Sequence, residues 1–309
     1  MHEERDNSSS QAVKKAVAQP SHAPSRAQSS RLLYLFFLVF AGLVGGVISL
    51  FFLADSLAAL GIPDPGRLTT FGLPFFRAVA WMLMALSVGS FMASAFLIYP
   101  AVPEGDNERL NKARLTVDGH LAARTGAWAA LGAGVVSLLE VPLVMSDLTG
   151  TPLGQVLNSE LMGMAVGQIA ASQVWLVTAV IAAVVAVVGF AARSWSGQVV
   201  AFFLSLLLTV PLGLEGHSAA GGDHDYGTNS LLLHLLFIML WVGGLMGLIA
   251  HGRRLGPDMG VAVRRYSSVA LFSIVGLAAT GVVNALIRVE LADLFATRYG
   301  LLVLAKFAV

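Results

Sequence analysis

The sequence predicts an all-α fold: a polytopic membrane bundle of about eight transmembrane helices, the last of them incomplete, with a cytoplasmic N-terminus. Of its 309 residues, 56% are hydrophobic and 12% are charged, whereas soluble domains have roughly 25% charged residues. Apolar runs of about 20 residues, long enough to cross a bilayer core, recur along the chain. The lipid bilayer is therefore the predicted partner, and a formal net charge of +1 argues against nucleic acid.

The elements follow in chain order from a polar N-terminal segment. Residues 1–30 lack apolar periodicity and are predicted to be a disordered cytoplasmic tail. Residues 31–195 are predicted to form a four-helix membrane half, and residues 196–309 a second membrane domain. An eighth span opens near Tyr299; because a helix cannot end inside lipid with unpaired carbonyls, we expect the polypeptide to continue past Val309. The seven complete predicted spans are Leu32–Ala54, Phe75–Tyr99, Leu121–Met145, Ala170–Ala192, Val199–Glu215, Ser230–His251 and Tyr266–Arg288.

Basic residues lie mainly in the N-terminal tail and in alternate loops. Cytoplasmic loops of membrane proteins carry an excess of Lys and Arg. The distribution therefore predicts a cytoplasmic N-terminus, and it places the loops with Asp64, Asp147, Asp223 and Asp293 on the outer side. The loop residues that decide this orientation are Arg109, Lys112, Arg114, Arg124, Arg193, Arg253, Arg254, Arg264 and Arg265.

Three histidines near the predicted outer surface are the first candidate ligands. His217 leaves the fifth span beside Glu215, His224 follows in a Gly/Asp loop, and His234 lies about one turn inside the sixth span. A polar side chain at that depth usually has an assigned partner. His217 and His234 are therefore predicted to bind one metal ion, with His224 a weaker candidate. Interhelical hydrogen bonding is the alternative for His234.

Trp241 and two further histidines are the other aromatic and imidazole side chains of interest. Trp241 comes seven residues after His234, which places it on nearly the same helical face. His120 and His251 lie beside clustered Arg at the cytoplasmic interface, where snorkelling side chains are ordinary. We expect no role for these two histidines beyond the interface.

Methionine and the absence of cysteine indicate which metal is preferred. The chain has no Cys, so thiolate ligands are excluded. Met82 and Met84 fall in the outer half of the second span. Thioether and imidazole together suit Cu(I) better than zinc or iron. Packing of Met in an apolar bundle is the alternative.

Two acids within predicted spans need a cation or a proton. Glu140 precedes Pro142 in the third span, and Glu215 lies near the outer end of the fifth. Arg77 opens the second span at similar depth and can neutralise either carboxylate. A structural ion pair is one interpretation. The other is that a carboxylate exchanges a proton or supplies an oxygen ligand as a cation passes.

Four motifs in the C-terminal third carry a family resemblance: GLEGHSA, LLLHLLFIMLWVGGL, RRYSSVALFSIVGLAATGVVNA and YGLLVLAKFAV. In this order they resemble the copper-resistance protein D (CopD) family over about Leu212–Val309. The resemblance implies an eight-helix protein of the bacterial inner (plasma) membrane that handles copper. It matches His217, His234, Trp241 and Lys306 to family positions and makes residues 196–309 a CopD-like domain.

The resemblance also implies a longer polypeptide. In many actinobacterial proteins a similar domain is the front half of a fusion whose back half resembles the cytochrome c oxidase assembly factor CtaG. This implies copper supply to oxidase maturation, with cytochrome c oxidase or a periplasmic copper chaperone as a partner.

Three functions stay open from the sequence. The first is a copper carrier or permease component with an outer metal site. The second is an electron-transfer protein in which His217 and His234 are axial ligands of haem b. The third is a non-transporting scaffold for oxidase assembly. No enzyme is predicted, because the chain shows neither a nucleophile–base set nor an HExxH motif.

Overall fold

The structure, a computed structural model, describes residues 26–52, 64–98, 100, 113–215 and 224–288. Within these ranges the chain is helical apart from short connections and contains no β-strand; one isolated antiparallel bridge joins Arg114 and Ser194. The all-α class predicted from the sequence is confirmed. The α-helices are α1 (Arg26–Phe52), α2 (Arg67–Met92), α3 (Val117–Thr149), α4 (Leu153–Val156), α5 (Ser159–Gly167), α6 (Ala170–Ala191), α7 (Trp195–Leu206), α8 (Val210–Glu215), α9 (His224–Ile238), α10 (Gly244–Gly252) and α11 (Met259–Arg288).

Six helical segments in the described part are long and apolar enough to cross a membrane, and they correspond to the second to seventh predicted spans. The polytopic membrane bundle is therefore confirmed, and the protein is a multi-pass membrane protein. The first predicted span lies in α1, whose described apolar part is Tyr34–Val47. The eighth lies outside the described residues, so the count of eight stays a prediction. The six segments are Arg67–Leu97, Val117–Thr149, Ala170–Ala191, Trp195–Leu214, Gly227–Gly252 and Gly256–Ile287.

Several helices begin earlier than the apolar pattern predicts. α2 starts at Arg67, two turns before the predicted Phe75, and α3 starts at Val117 instead of Leu121. Thr116 caps α3 by accepting a 3.2 Å hydrogen bond from the Gly119 amide. The apolar pattern indicates where the hydrocarbon core of the membrane begins. The helical hydrogen bonds continue beyond it into the polar residues that flank each span.

Contacts divide the described residues into two units, with the boundary between Phe37 and Leu38. The first contains the start of α1. The second contains the rest of α1 and the other described helices, and its core lies where α2 and α6 pack against α3. Phe91 of α2 is fully buried there, against Gly126 of α3 and Gly189 of α6.

α2 and α10 cross in direct backbone contact. A Cβ atom at Gly89 would collide with the carbonyl of Gly243, and one at Gly247 would collide with the carbonyl of Gly89. Ala85 contacts Gly243 and Ser90 contacts His251, so residue numbers rise together and the two helices run parallel. Small residues are what allow membrane helices to approach this closely.

Two π-helical turns interrupt the regular helices next to this crossing. Ala93–Leu97 continues α2, and Met239–Gly243 joins α9 to α10. A π turn leaves backbone carbonyls without their usual α-helical partner. Side chains satisfy them: Trp195 Nε1 donates to the Ala95 carbonyl at 2.7 Å, and the Tyr266 hydroxyl donates to the Trp241 carbonyl at 2.7 Å.

Candidate metal centre

Among the predicted site residues that the structure describes, Arg77, Glu140 and His234 lie in the half of the bundle that contains the start of α2. The hydroxyls of Thr69, near the start of α2, and Ser146, near the end of α3, are 2.6 Å apart. Since α2 and α10 run parallel, the start of α9 lies at this same end. We call it the outer end, after its predicted side of the membrane; the orientation itself stays a prediction.

His234 lies within the membrane-crossing part of α9 and is half-buried. Its Nδ1 is 2.9 Å from the hydroxyl of Thr280 on α11. One turn earlier, the Ser230 hydroxyl donates to the Thr280 carbonyl at 3.2 Å. Two polar side chains of α9 are therefore held by one residue of the neighbouring helix, which makes the interhelical hydrogen bond an observed feature of His234.

α9 begins earlier than the sequence predicts. His224 is the first residue of the helix, not a loop residue, so the prediction of a Gly/Asp loop at this position is wrong. Glycine and aspartate are poor helix formers, but the Asp225–Asn229 stretch leads directly into an apolar span whose packing favours the helix. His234 consequently lies ten residues into α9, nearly three turns from its start.

The structure does not describe the side chains of three further predicted site residues, the ligand His217 and the supporting residues Glu215 and Lys306. His217 and Lys306 lie outside the described residues, and Glu215 ends α8 without a described side chain. Among the residues whose placement is described, no three His, Cys, Asp or Glu side chains lie close enough together to hold a metal ion. The pairing of His217 with His234 stays a prediction.

The two predicted methionine ligands lie in α2 and differ in exposure. Met84 is fully buried in the core between α2, α3 and α6, whereas Met82 is half-buried. The enclosed thioether of Met84 fits the packing alternative that the sequence left open.

Trp241 lies within the π turn Met239–Gly243. The expectation that it shares a face with His234 assumes an unbroken 3.6-residue repeat, and the π turn interrupts that repeat. Its indole packs beside the small cluster that contains Leu248 and Tyr266. Its carbonyl, not its ring, makes the hydrogen bond with Tyr266.

Arg77 pairs with Glu140, one of the two acids it was predicted to neutralise. Arg77 Nη2 lies 3.6 Å from Glu140 Oε2, and the guanidinium lies over the Trp175 ring, 5.6 Å from its centroid. Glu140 is fully buried, and neither of its oxygens accepts a hydrogen bond from a described residue. The predicted structural ion pair therefore exists, at a distance that leaves both carboxylate oxygens under-satisfied.

His251 differs from the interfacial side chain that was expected. It is 6% exposed, and its Nε2 lies 3.3 Å from the Ser90 hydroxyl. The Gly89–Gly247 contact brings α2 and α10 so close that the imidazole is enclosed between them. The prediction that the His251 side chain snorkels into the membrane interface is therefore wrong.

Two residues at the site were missed by the sequence reasoning. Thr280 contacts His234, and Ser230 donates to the Thr280 carbonyl, although neither was selected as a candidate. Ser230 is four residues before His234, on the same helical face. A polar residue at that spacing is the signal that could have been used, but nothing in the sequence indicates its partner 50 residues away.

Comparison with known families decides the identity of the chain. The family "Copper resistance protein D-like, N-terminal domain" matches residues 67–225, slightly more than half of the chain. The family "Copper resistance protein D" matches residues 260–309. The chain belongs to the copper resistance protein D family. The resemblance predicted from the four motifs is therefore confirmed.

Relatives of this copper resistance protein D family member include uncharacterized proteins of Mycobacterium bovis and Mycobacterium tuberculosis. Each is 28% identical to the chain over 194 residues, or 62% of the chain. The match covers 27% of each relative, so the chain spans about a quarter of their length. No solved structure matches the chain.

Proposed function

We propose that this protein binds copper(I) as cargo within the membrane at the outer end of the bundle and passes it inward or to a partner. The observation that carries the proposal is His234, an imidazole inside a membrane-crossing helix and held in place by Thr280. Polar residues at such depth are costly and commonly mark an ion pathway. Membership of a copper resistance family supports copper as that ion.

The residues present suit a soft, singly charged cation. Imidazole nitrogen and thioether sulfur are ligands that Cu(I) accepts, and the chain has no thiolate to compete with them. In the proposal His234 and His217 supply nitrogen, while Met82, Met84 and His224 are additional candidate ligands. Glu215, Trp241 and Lys306 are supporting residues.

In the proposed function, Arg77 and Glu140 are the charged residues beside the copper pathway. Glu140 is fully buried beside α2, and the proposal assigns its carboxylate to proton exchange or oxygen ligation as the cation moves. Copper delivered in this way would be passed to cytochrome c oxidase, or to a periplasmic copper chaperone, for maturation of the oxidase.

Metal analysis of the purified full chain tests the copper site. The protein is loaded with copper under reducing conditions, and bound copper per chain is measured for wild type, His217→Ala and His234→Ala. We expect both variants to bind less copper than wild type. His120→Ala is the matched control, because it removes a half-buried imidazole at the opposite end of the bundle. Unchanged copper content in both site variants would overturn the assignment.

Two further measurements separate copper transfer from the other functions. A Soret band in the purified protein would indicate haem b, whereas a Cu(I) site gives no such band. Copper entry into vesicles containing the protein, lost in His234→Ala, would support a carrier. Copper binding without any transfer would support an assembly scaffold instead.

A further inference from the structure

The contact between His234 and Thr280 leaves little freedom to the imidazole ring. Thr280 is buried, and its hydroxyl lies 2.8 Å from the Gly276 carbonyl, one turn earlier in α11. The Leu277 carbonyl is also within reach, at 3.2 Å. Serine and threonine hydroxyls in helices commonly donate to the carbonyl three or four residues before them.

A hydroxyl has one proton to donate and two lone pairs that accept. The Thr280 proton is directed at the carbonyls of its own helix, which cannot donate in return. The hydroxyl oxygen therefore meets His234 Nδ1 as an acceptor at 2.9 Å. Neutral imidazole carries its proton on one nitrogen and its lone pair on the other.

We infer that Thr280 is a positioning residue that fixes the tautomer of His234, by accepting the Nδ1 proton so that Nε2 carries the lone pair that a metal cation takes. Metal-binding histidines commonly donate their other ring N–H to a neighbouring acceptor, which fixes the ring orientation and raises its basicity. The part of this inference that concerns copper rests on the proposed function; the tautomer does not.

The packing of α11 holds this acceptor in place. A Cβ atom at Gly276 would lie within 2.7 Å of the Phe237 ring, so α9 and α11 approach closely one turn from Thr280. The Ser230 hydroxyl, donating to the Thr280 carbonyl at 3.2 Å, adds a second link between the same two helices. Close packing on one side and a hydrogen bond on the other fix the position of Thr280 along the helix axis relative to His234.

Nitrogen-15 NMR of the metal-free full chain, labelled at histidine, tests the tautomer directly. The His234 signals are identified by their absence in His234→Gln. We expect a protonated Nδ1 and an unprotonated Nε2 in wild type and in Thr280→Ser, which keeps the hydroxyl. Thr280→Val, which removes the hydroxyl at nearly constant shape, should lose this single tautomer. A proton on Nε2 in the neutral wild-type ring would overturn the inference.

Copper(I) affinity tests the consequence for the site. Loss of such a supporting hydrogen bond typically weakens metal binding roughly 10–100-fold. We expect a loss of this size in Thr280→Val, with Thr280→Ser close to wild type. Thr178→Val is the matched control, since the Thr178 hydroxyl also donates to its own helix, at 2.9 Å, but on α6. Equal affinity in Thr280→Val and wild type would overturn the positioning role.

The two proposals fail in distinguishable ways. Wild-type protein that binds no copper overturns the proposed function, while the NMR of the metal-free protein still decides the tautomer. A wild-type ring protonated on Nε2, in a protein that loses copper on His234→Ala, overturns the role of Thr280 alone.

Discussion

Arg77 Nη2 lies 3.6 Å from Oε2 of Glu140, a carboxylate with no exposed surface. The arginine side chain is 44% exposed, so one partner of this pair reaches the surface while the other is enclosed. Removing one partner of a buried ion pair is usually more damaging than removing both, because the remaining charge is left without compensation. This asymmetry can be measured.

A double-mutant cycle on this pair gives the first prediction. We expect Arg77→Gln to lower the free energy of unfolding in detergent, and Arg77→Gln with Glu140→Gln to recover part of the loss. The coupling energy should be about 0.5–3 kcal/mol, the range for residues in direct contact. Arg67→Gln, an exposed arginine at the start of the same helix, is the control. Strict additivity of the two substitutions would show that the pair contributes nothing.

The crossing of α2 and α10 gives the second prediction. Gly89→Ala places a methyl group into the backbone of Gly243 and should destabilise the protein by about 1–3 kcal/mol or more, the usual cost of overpacking. Gly163→Ala is the matched control, because a Cβ there meets nothing within 4 Å. It should be neutral or slightly stabilising. Similar thermal unfolding midpoints for the two variants would argue against the close crossing.

The hydrogen bond at the second π turn gives the third prediction. Tyr266→Phe leaves the Trp241 carbonyl without its 2.7 Å donor and should cost about 0.5–1.5 kcal/mol. Thermal unfolding in detergent measures the effect. Ser267→Ala, which removes an exposed hydroxyl on the next residue, should have a smaller effect. If Tyr266→Phe is as stable as wild type, the π turn does not depend on this donor.

The predicted orientation of the chain gives the fourth prediction. Because the sequence contains no Cys, single cysteines can be introduced without background labelling. Ser159→Cys, exposed between the third and fourth predicted spans, should react with a membrane-impermeant maleimide in intact cells. Asp258→Cys, exposed between the sixth and seventh, should react only after the membrane is opened. The reverse pattern would invert the topology.

Hydrophobic patterning predicted where the chain crosses the membrane, because long apolar runs have few alternatives to a membrane helix. It could not predict where α2 or α9 begins, since their first turns are polar and are stabilised by helical hydrogen bonds and packing. It also could not predict the π turn at Met239–Gly243, where Gly243 contacts α2 and the Trp241 carbonyl accepts a hydrogen bond from the Tyr266 hydroxyl.

The candidate site was predictable in its residue types more than in its contacts. An imidazole inside an apolar span identified His234 directly. Its partner Thr280 is 46 residues away, and many polar residues at a similar depth were equally available in the sequence. Likewise Arg77 had two possible acids, and only the packing of α2 on α3 selects Glu140.

The backbone contact at Gly89 and Gly247 has a mechanical consequence. Side chains can change rotamer to absorb a shift between two helices, but backbones in direct contact cannot. Any tilt of α10 against α2 must therefore be a rotation about this contact point. A movement that opens the bundle at the His251 end would close it at the opposite end.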